Sequence, residues 1–263
     1  MIFLLFFLGL MIGSFLNVVL SRLDTDESFV TGRSRCDECG ALVRWYDNIP
    51  VLSLLFLRGR CRSCGRPISV RHIAVEVSTA VLFSAVGAFF PYPDTVSGVA
   101  DIALALGLIA SLTVVFVHDL ARMEIPVSAL VFGMVWSIAM LAVVWLAGDS
   151  SVRFFDSRLF EGVVGGGIAF ALFYALVRFS GETWMGAGDA WLALVLGLVV
   201  GWRLLLPTLT IAFGTGAIVG IVLMVSGRKG LKSQLPFAPF LVASVIFMLF
   251  FGTMVQELFV GLM

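Results

Sequence analysis

The chain has 263 residues, of which 60% are hydrophobic and only 13% are charged, and its mean hydropathy is +1.07. A soluble domain of this length needs more polar surface than this composition supplies, so the composition indicates a membrane protein. The formal net charge is zero, which implies no general attraction to nucleic acid, and we expect no nucleic-acid partner.

Eight apolar stretches are candidates to cross a bilayer, whose hydrocarbon core of about 30 Å requires roughly 20 helical residues. They are approximately 2–20, 73–90, 101–117, 125–146, 162–177, 189–200, 204–225 and 237–260. The sixth is short, and a tight turn is predicted between it and the seventh at Gly201, Trp202, Arg203 and Pro207. Segment 1–22 lacks the basic start and small-residue cleavage site of a signal peptide, so we predict a retained helix. The predicted fold class is an all-α polytopic membrane protein with about eight transmembrane helices.

The distribution of lysine and arginine predicts the orientation, because basic residues favour the cytoplasmic side of a membrane. Residues 22–72 contain nine of the 17 basic residues. If this segment is cytoplasmic, five more fall on the same side, at Arg122, Arg178, Arg228, Lys229 and Lys232. Three then fall on the other side, at Arg153, Arg158 and Arg203. We therefore predict that segment 22–72 faces the cytoplasm and that both chain ends lie on the opposite side.

Segment 22–72 is the only sizeable region predicted outside the membrane, and it is too small for an ordinary hydrophobic core. It contains all four cysteines in two C-x-x-C pairs, Cys36 with Cys39 and Cys61 with Cys64, separated by 21 residues. Each pair places two thiolates on one turn, and two such turns close a tetrahedral zinc site. Four ligands leave no position for water, so we predict a structural zinc in a zinc-ribbon-like insertion.

Two other states of the cysteines stay open at this stage, namely disulfides and thiols without metal. The predicted cytoplasmic location argues against disulfides, which rarely persist in a reducing compartment. A glycine follows each pair, at Gly40 and Gly65, where a metal-binding turn needs a residue that tolerates positive φ.

Two aspartates are candidates for catalysis. Asp119 is predicted at the cytoplasmic end of the third helix, and Asp189 at the start of the sixth, so both lie on one side at similar depth. Two carboxylates that share one proton can divide the work of proteolysis, since the ionised one activates water and the protonated one polarises a peptide carbonyl. Gly186 and Gly188 would let the backbone turn sharply and let an extended peptide approach.

The same aspartates also admit a structural explanation. Asp189 could cap its helix, and Asp119 could lie in the headgroup region beside Arg122. A single G-x-G-D sequence, or one aspartate before an Ile-Pro, is a weak signal of catalysis. The residues taken alone therefore leave both explanations open.

Short motifs along nearly the whole chain, in a fixed order, resemble those of the bacterial prepilin peptidase family. They are Gly13-Ser14-Phe15-Leu16-Asn17-Val18-Val19, Gly32-Arg33-Ser34-x-Cys36-x-x-Cys39, Asn48-Ile49-Pro50-x-x-Ser53, Gly59-x-Cys61-x-x-Cys64, Ile68-Ser69-x-Arg71, Val75-Glu76, Asp119 to Ile125-Pro126, Met185-Gly186-Ala187-Gly188-Asp189 and Leu235-Pro236-Phe237-Ala238-Pro239-Phe240.

The resemblance implies two activities at the cytoplasmic face of the bacterial inner membrane. One is cleavage of the basic leader of type IV prepilins or pseudopilins, with Asp119 and Asp189 as the catalytic pair of a membrane aspartic protease. The other is N-methylation of the new terminal residue by S-adenosylmethionine. The resemblance also implies that residues 1–90 form a methyltransferase-associated domain, with Glu76 as a methyl-transfer contact. Residues 91–263 would then form the peptidase domain.

Two positions depart from the family pattern. The family commonly has Asp after the Ile-Pro, where this chain has Val127, and Lys two residues after the motif aspartate, where it has Trp191. Two alternatives to the bifunctional enzyme stay open. One is a peptidase without methyl transfer. The other is a transporter or scaffold with a zinc docking domain, which would need neither aspartate.

Overall fold

The computed structural model describes residues 1–23, 25, 28–29, 33–36, 38–147, 157–227 and 235–260, without the side chains of residues 54, 55, 259 and 260. Four of the basic residues used to predict the orientation lie outside this description, as does the motif residue Gly32; they are Arg153, Arg228, Lys229 and Lys232. The chain forms two compact units, Met1–Tyr92 and Pro93–Met263. The predicted division of methyl transfer and proteolysis between the two halves stays a prediction.

Regular structure in the described residues is helical, apart from two isolated β-bridges. The elements are α1 (Ile2–Arg22), a 3-10 helix (Trp45–Asn48), α2 (Leu52–Phe56), α3 (Val70–Phe89), α4 (Val96–Arg122), α5 (Val127–Ala147), α6 (Arg158–Ser180), α7 (Ala187–Val225) and α8 (Ala238–Val260). Every α-helix except α2 is long and apolar enough to cross a membrane. The prediction of an all-α polytopic membrane protein is confirmed.

In the N-terminal unit, α1 packs closely against α3 through small residues. A Cβ added at Gly9 would lie 2.6 Å from the Cα of Ala80, and one at Gly13 would lie 2.7 Å from the Cα of Glu76. Two glycines at this four-residue spacing let membrane helices approach until their backbones touch. The contact therefore holds the Glu76 backbone directly against α1.

Local signals explain where the helices of the C-terminal unit begin and end. The hydroxyls of Thr95 and Ser157 accept hydrogen bonds from backbone N–H groups in the first turns of α4 and α6. The residues that follow the two helices, Met123 and Gly181, are left-handed, and each donates its N–H to a carbonyl in the last turn. The loops to α5 and α7 thus begin at fixed points.

Helix α7 has 39 residues, or about 58 Å at 1.5 Å per residue, which is nearly twice the thickness of a hydrocarbon core. Its chain reverses at Gly201, where φ is 71° and ψ is 171°. Trp191 lies against Phe170 of α6 (4.9 Å between ring centroids), and Phe213 lies against Phe173 (6.2 Å). Phe170 and Phe173 are about one turn apart, whereas a straight helix would separate Trp191 from Phe213 by about 33 Å.

Helix α7 is therefore a hairpin of two arms, 187–200 and 202–225, both packed beside α6. A Cβ at Gly165 of α6 would lie 2.6 Å from the carbonyl carbon of Gly201, so glycines on both sides permit this close approach. The seven long helices thus contain eight apolar segments, as the sequence predicted, although the first arm, with 14 residues, is shorter than a full crossing. The turn is narrower than expected, because Trp202, Arg203 and Pro207 are already helical.

Ion pairs occupy the end of the C-terminal unit where α7 reverses. Arg158 at the start of α6 bonds to Asp101 near the start of α4, and Arg203 lies 2.8 Å from Glu161. Because Asp101 and Glu161 pair with arginines, a structural role accounts for both carboxylates and no catalytic role is needed. The opposite end of the unit holds the two candidate aspartates.

Candidate active site and metal centre

A cavity of about 880 Å³ opens at the end of the C-terminal unit remote from the α7 reversal. Its walls come from the end of α4, the start of α5, the loop after α6, the start of α7 and the residues before α8. Asp119 and Asp189 both line it, so the structure brings the two predicted residues together. They are 5% and 9% exposed, and they are close enough for the charge of one to act on the other.

Asp119 lies in the last turn of α4, where its backbone carbonyl accepts a hydrogen bond of 2.8 Å from the N–H of Met123. The side-chain Oδ2 is buried and has no hydrogen-bond partner among the residues that the structure describes. The backbone N–H of Ala238, the first residue of α8, interacts with the same carboxylate, so the positive end of that helix faces Asp119. A buried polar atom without a partner is uncommon, and here it belongs to a residue that lines a cavity.

Asp189 lies in the first turn of α7. Its Oδ2 accepts a hydrogen bond of 3.2 Å from the backbone N–H of Gly186, the residue that precedes the helix. The capping role that the sequence left open is therefore present. Capping and chemistry are compatible here, because the same carboxylate lines the cavity and interacts with Asp119.

The two glycines before Asp189 have different surroundings. Gly186 has φ −82° and ψ 160°, a conformation open to any residue, so the backbone turn itself does not require glycine there. A Cβ at Gly186 would meet almost nothing, whereas one at Gly188 would lie 3.2 Å from the Ile125 side chain. Gly188 thus lets the start of α7 pack against the Ile-Pro segment after α4. The approach of an extended peptide to either glycine stays a prediction.

Both departures from the family pattern line the cavity. Val127 at the start of α5 is 72% exposed, and Trp191 lies one turn after the motif glycines with its ring against Phe170. Two further carboxylates also line the cavity, those of Glu124 and Glu182. The walls are otherwise largely apolar, which suits a peptide segment continuous with a hydrophobic helix.

The four cysteines form the cluster that the sequence predicted. Their sulfur atoms all lie within 4.8 Å of one another, and those of Cys36 and Cys64 are 4.0 Å apart. A tetrahedral zinc with Zn–S bonds of about 2.3 Å requires sulfur atoms about 3.8 Å apart, so the four thiols fit such an ion. The geometry of the cluster is therefore suited to a metal ion.

The two cysteine pairs are built alike. In each, the glycine after the second cysteine donates its N–H to the carbonyl of the first over 2.9 Å, from Gly40 to Cys36 and from Gly65 to Cys61. Gly40 and Gly65 have φ of 67° and 70°, which confirms the prediction of positive φ at both. The backbone N–H groups of Cys64 and Ser63 lower the pKa of the Cys61 thiol, whereas burial and the neighbouring thiols raise the pKa of Cys64. The thiolate is the form that binds metal.

A second cavity, of about 660 Å³, lies within the N-terminal unit between the cysteine segment, the end of α1 and the start of α3. Glu76 lines it and is only 7% exposed. Its Oε2 accepts a hydrogen bond of 2.9 Å from the N–H of Val51, and its carboxylate also bonds to the Ser14 side chain. Among the residues described, Glu76 is therefore held by two neutral donors.

Sequence reasoning missed two features of these sites. It treated segment 235–240 only as a motif, whereas the start of α8 delivers the Ala238 N–H to Asp119. The prolines on either side of Ala238 are the signal, since proline is typical of helix starts. It also assigned no role to Asn17, which lines the second cavity and is 7% exposed. A polar residue among the apolar residues of a membrane helix is the corresponding signal.

Comparison with known proteins places these features in a family. The sequence profile of the bacterial peptidase A24 N-terminal domain matches residues 7–90, and that of the type IV leader peptidase family matches residues 105–221. Three relatives bear the name prepilin leader peptidase/N-methyltransferase. The relative from Myxococcus xanthus is 38% identical and is aligned over 88% of this chain and 65% of its own length. The relative from Burkholderia pseudomallei strain 1026b is 33% identical and is aligned over 94% of this chain and 84% of its own length. The relative from Bacillus subtilis is 31% identical and is aligned over 99% of this chain and 98% of its own length. No solved structure gives a significant match.

The fold and the cavity define a multi-pass membrane protein with two buried aspartates, from different helices, in one cavity. The chain belongs to the type IV leader peptidase family. The resemblance found in the sequence motifs is thereby confirmed, and it favours an enzyme over the transporter or scaffold that the sequence left open.

Proposed function

We propose that this protein cleaves the leader peptides of type IV prepilins or pseudopilins in the cavity that contains Asp119 and Asp189. The observation that carries the proposal is the presence of two buried aspartates, from different helices, in one cavity at the end of an apolar helical unit. Ionisable side chains at such positions are costly and are usually functional. The names of the relatives supply the substrate class. The substrate's own hydrophobic helix would lie in the bilayer beside the enzyme.

In the proposed reaction, the peptide lies extended across the pair of carboxylates. One carboxylate accepts a proton from water while the water oxygen bonds to the scissile carbonyl carbon, and the other carboxyl donates a proton to the carbonyl oxygen. The C–N bond then breaks as the leaving nitrogen takes the first proton and the second carboxyl regains its own. The Oδ2 atom of Asp119 supplies an acceptor for the water molecule. The N-terminus of α8 supplies a positive field at the two carboxylates.

Conversion of each aspartate to asparagine tests the peptidase proposal. Asparagine is nearly isosteric but accepts no proton, so Asp119→Asn and Asp189→Asn should each slow leader cleavage at least about 10²-fold. Asparagine caps a helix about as well as aspartate, so a purely capping role predicts near-normal cleavage. Each variant is coexpressed with a candidate prepilin, and mass spectrometry of the product measures both cleavage and terminal methylation.

Glu257→Gln provides the matched control, because this carboxylate is exposed on α8 and lies outside the cavity. It should process prepilin at the wild-type rate. If Asp119→Asn or Asp189→Asn does the same, that residue is not one of the catalytic pair. Glu124 or Glu182 in the same cavity would then be the next candidate.

We also propose that the cysteine cluster binds one structural zinc ion and that the protein methylates the new N-terminus with S-adenosylmethionine. Four thiols in tetrahedral spacing support zinc, and the same cluster shape leaves no position for a catalytic water. The relatives' names support methyl transfer. The methyl donor supplies an electrophilic methyl group, and the N-terminal unit would bind and orient it. A peptidase without methyl transfer would give a cleaved product whose mass lacks the one CH₂ group that methylation adds.

Finally, we propose that the protein lies in the bacterial inner membrane with the cysteine segment and the aspartate cavity towards the cytoplasm. The excess of basic residues in segment 22–72 supports this orientation. Single introduced cysteines test it, at exposed Arg58 in the segment and at exposed Tyr92 after α3. An impermeant thiol reagent added to intact spheroplasts should label Tyr92→Cys and not Arg58→Cys. The reverse pattern would overturn the orientation.

A further inference from the structure

Segment 22–72 presents several large apolar residues on its surface. Trp45 and Phe56 are 79% and 82% exposed, and Ile49 and Leu52 are 41% and 52% exposed. Trp45 belongs to the 3-10 helix, Leu52 and Phe56 belong to α2, and these two helices contact each other. Together the four residues form the apolar face of the segment. Exposed apolar surface in an otherwise polar segment marks a place of contact with a partner or a membrane.

The apolar face is distinct from the cavity of the N-terminal unit. Ser53 in α2 and Leu57 just after it line that cavity, whereas Leu52 and Phe56 lie outside its walls in the described part of the chain. Residues four apart share one face of a helical turn, so the two pairs point to different sides of α2. The cavity therefore does not account for the exposed apolar residues.

A hydrogen bond fixes the depth of the apolar face relative to α3. Helix α3 has 20 residues, or about 30 Å at 1.5 Å per residue, which is just enough to cross a hydrocarbon core. Glu76 is six residues after the first residue of this helix, or about 9 Å along it. Its Oε2 accepts a hydrogen bond of 2.9 Å from the N–H of Val51. The loop between Ile49 and Leu52 therefore lies beside a turn of α3 that belongs to the membrane-spanning length.

The backbone of the same loop indicates that it is held in place. Val51 has φ 59°, in the left-handed region that β-branched residues rarely adopt. Such a conformation persists only where the surrounding contacts impose it. The bond to the buried Glu76 carboxylate is such a contact, so the loop stays against α3 instead of extending away from the membrane.

We infer that the apolar face of segment 22–72 lies in the membrane–water interface, with its side chains against the lipid acyl chains beside α3. The depth of Val51 supports a bilayer as the occupant, as does the continuity of the segment with two membrane helices, α1 and α3. Tryptophan, here Trp45, is typical of this interface. Exposed Arg44 and Arg58 flank the face in the sequence and complement anionic headgroups. The segment is thus an interfacial element of the membrane rather than a domain that is free in solution.

Fluorescence quenching by lipid tests this placement in the full-length protein, reconstituted in nanodiscs of phosphatidylcholine and phosphatidylglycerol. The fluorescent residue dansylalanine is introduced at Phe56 or, as the matched control, at Ser63, which is exposed and lines the cavity instead. Lipids with brominated acyl chains should quench position 56 at least about threefold more than position 63, because an interfacial apolar face lies about 5–10 Å into the boundary between headgroups and acyl chains. Thermal unfolding of each labelled protein verifies that it is folded.

A double substitution shows whether the apolar face itself sets this depth. Trp45→Gln with Leu52→Gln should reduce the quenching at position 56 at least about twofold, since interfacial binding scales with the apolar area that is buried. Ser63→Gln is the control, and it should leave the quenching at position 56 unchanged.

Several results would overturn the placement of the apolar face in the interface. They are equal quenching at positions 56 and 63, no quenching at position 56, and unchanged quenching in the double variant. Loss of the quenching at position 56 on addition of a prepilin would assign the face to the substrate and would overturn the placement as well. Each result is obtained without an activity assay, so the placement is tested independently of leader cleavage and methyl transfer.

Discussion

The two units of the protein build their sites in different ways. The aspartate cavity of the C-terminal unit is made by the ends of five apolar helices, so the packing that stabilises the unit also positions the catalytic candidates. The cavity of the N-terminal unit depends on a polar segment whose described residues form a 3-10 helix, the short α2 and two isolated bridges. That segment needs an additional source of stability, which a metal ion bound by four thiols can provide. We therefore expect the two activities to fail separately.

The largest expected effect concerns the aspartate pair. The double variant that carries both Asp119→Asn and Asp189→Asn should cleave the leader at nearly the same rate as either single variant. The effects of substitutions within one catalytic unit are not additive. The two single variants and the double variant should each cleave the leader about 10²–10⁴-fold more slowly than the wild type. The double variant should still methylate a synthetic peptide that begins with the mature pilin terminus, measured by transfer of a labelled methyl group. Loss of that activity would mean that the two sites are not independent.

The converse change removes a metal ligand. Cys36→Ser should reduce bound zinc from about one ion per chain to a small fraction, since a hydroxyl is a poor replacement for a thiolate in a four-thiolate site. Methylation of the synthetic peptide should fall at least about tenfold, whereas cleavage should stay within about twofold of wild type. Elemental analysis and the two activity assays measure these quantities on one preparation.

Ser63→Ala serves as the control for the metal variant, because Ser63 lies between two ligands but is not one of them. Its zinc content should match that of the wild type. Unchanged zinc in Cys36→Ser would contradict the metal site, and a parallel loss of cleavage would contradict the separation of the two units.

A matched pair of glycine substitutions should perturb one unit at a time. A Cβ at Gly9 would lie 2.6 Å from the Ala80 Cα in the N-terminal unit, and one at Gly197 would lie 2.5 Å from the Gly165 carbonyl oxygen in the C-terminal unit. Overpacking of this kind typically costs about 1–3 kcal/mol. Gly9→Ala should lower the temperature at which methyl-transfer activity is lost on heating. Gly197→Ala should lower the temperature at which cleavage activity is lost.

Gly220→Ala is the control for both glycine variants, because a Cβ there meets nothing within 4 Å. It should leave both inactivation temperatures unchanged. Equal effects of Gly9→Ala on both activities would show that the units unfold together rather than separately.

The sequence predicted those features that depend on composition and local pattern. The apolar runs predicted the membrane helices. The residues Gly201, Trp202, Arg203 and Pro207, which separate the short sixth run from the seventh, predicted the turn at Gly201. The C-x-x-C pairs with their glycines predicted the cysteine cluster, since ligand spacing within one turn is a local property. Positive φ at Gly40 and Gly65 follows from the same turn and was predicted with it.

The features that the sequence did not predict depend on contacts between distant residues. The interaction of the Ala238 N–H with Asp119 joins positions 119 residues apart, and no periodicity in either helix indicates it. The bond between Val51 and Glu76 depends likewise on how the loop folds back onto α3. Asp189 illustrates a different limit, because the sequence offered a cap and a catalytic residue as alternatives, and one carboxylate can take both roles.

The smallest expected effect concerns an ion pair that links the 3-10 helix to the second cysteine pair. Arg62 donates from Nε and Nη2 to both oxygens of Asp47, at 2.8 and 2.6 Å, and this contact holds the pKa of the Asp47 carboxyl below its ordinary value. Because that pKa is lowered, the stabilisation is complete above the unfolded-state pKa of about 3.9 and is lost only as the pH falls through the folded-state value. Asp47→Asn should therefore speed zinc release to a chelator by no more than about threefold, since the Arg62 side chain is half exposed and solvent screens the pair. The ratio of the variant's rate to that of the wild type should be the same at pH 6 and pH 8, although both rates rise at pH 6 as thiolates become protonated. It should shrink towards one in molar salt, where the Debye length falls to about 3 Å. A ratio that changes between pH 6 and pH 8 would show that Asp47 is coupled to the cysteine thiols rather than to Arg62 alone.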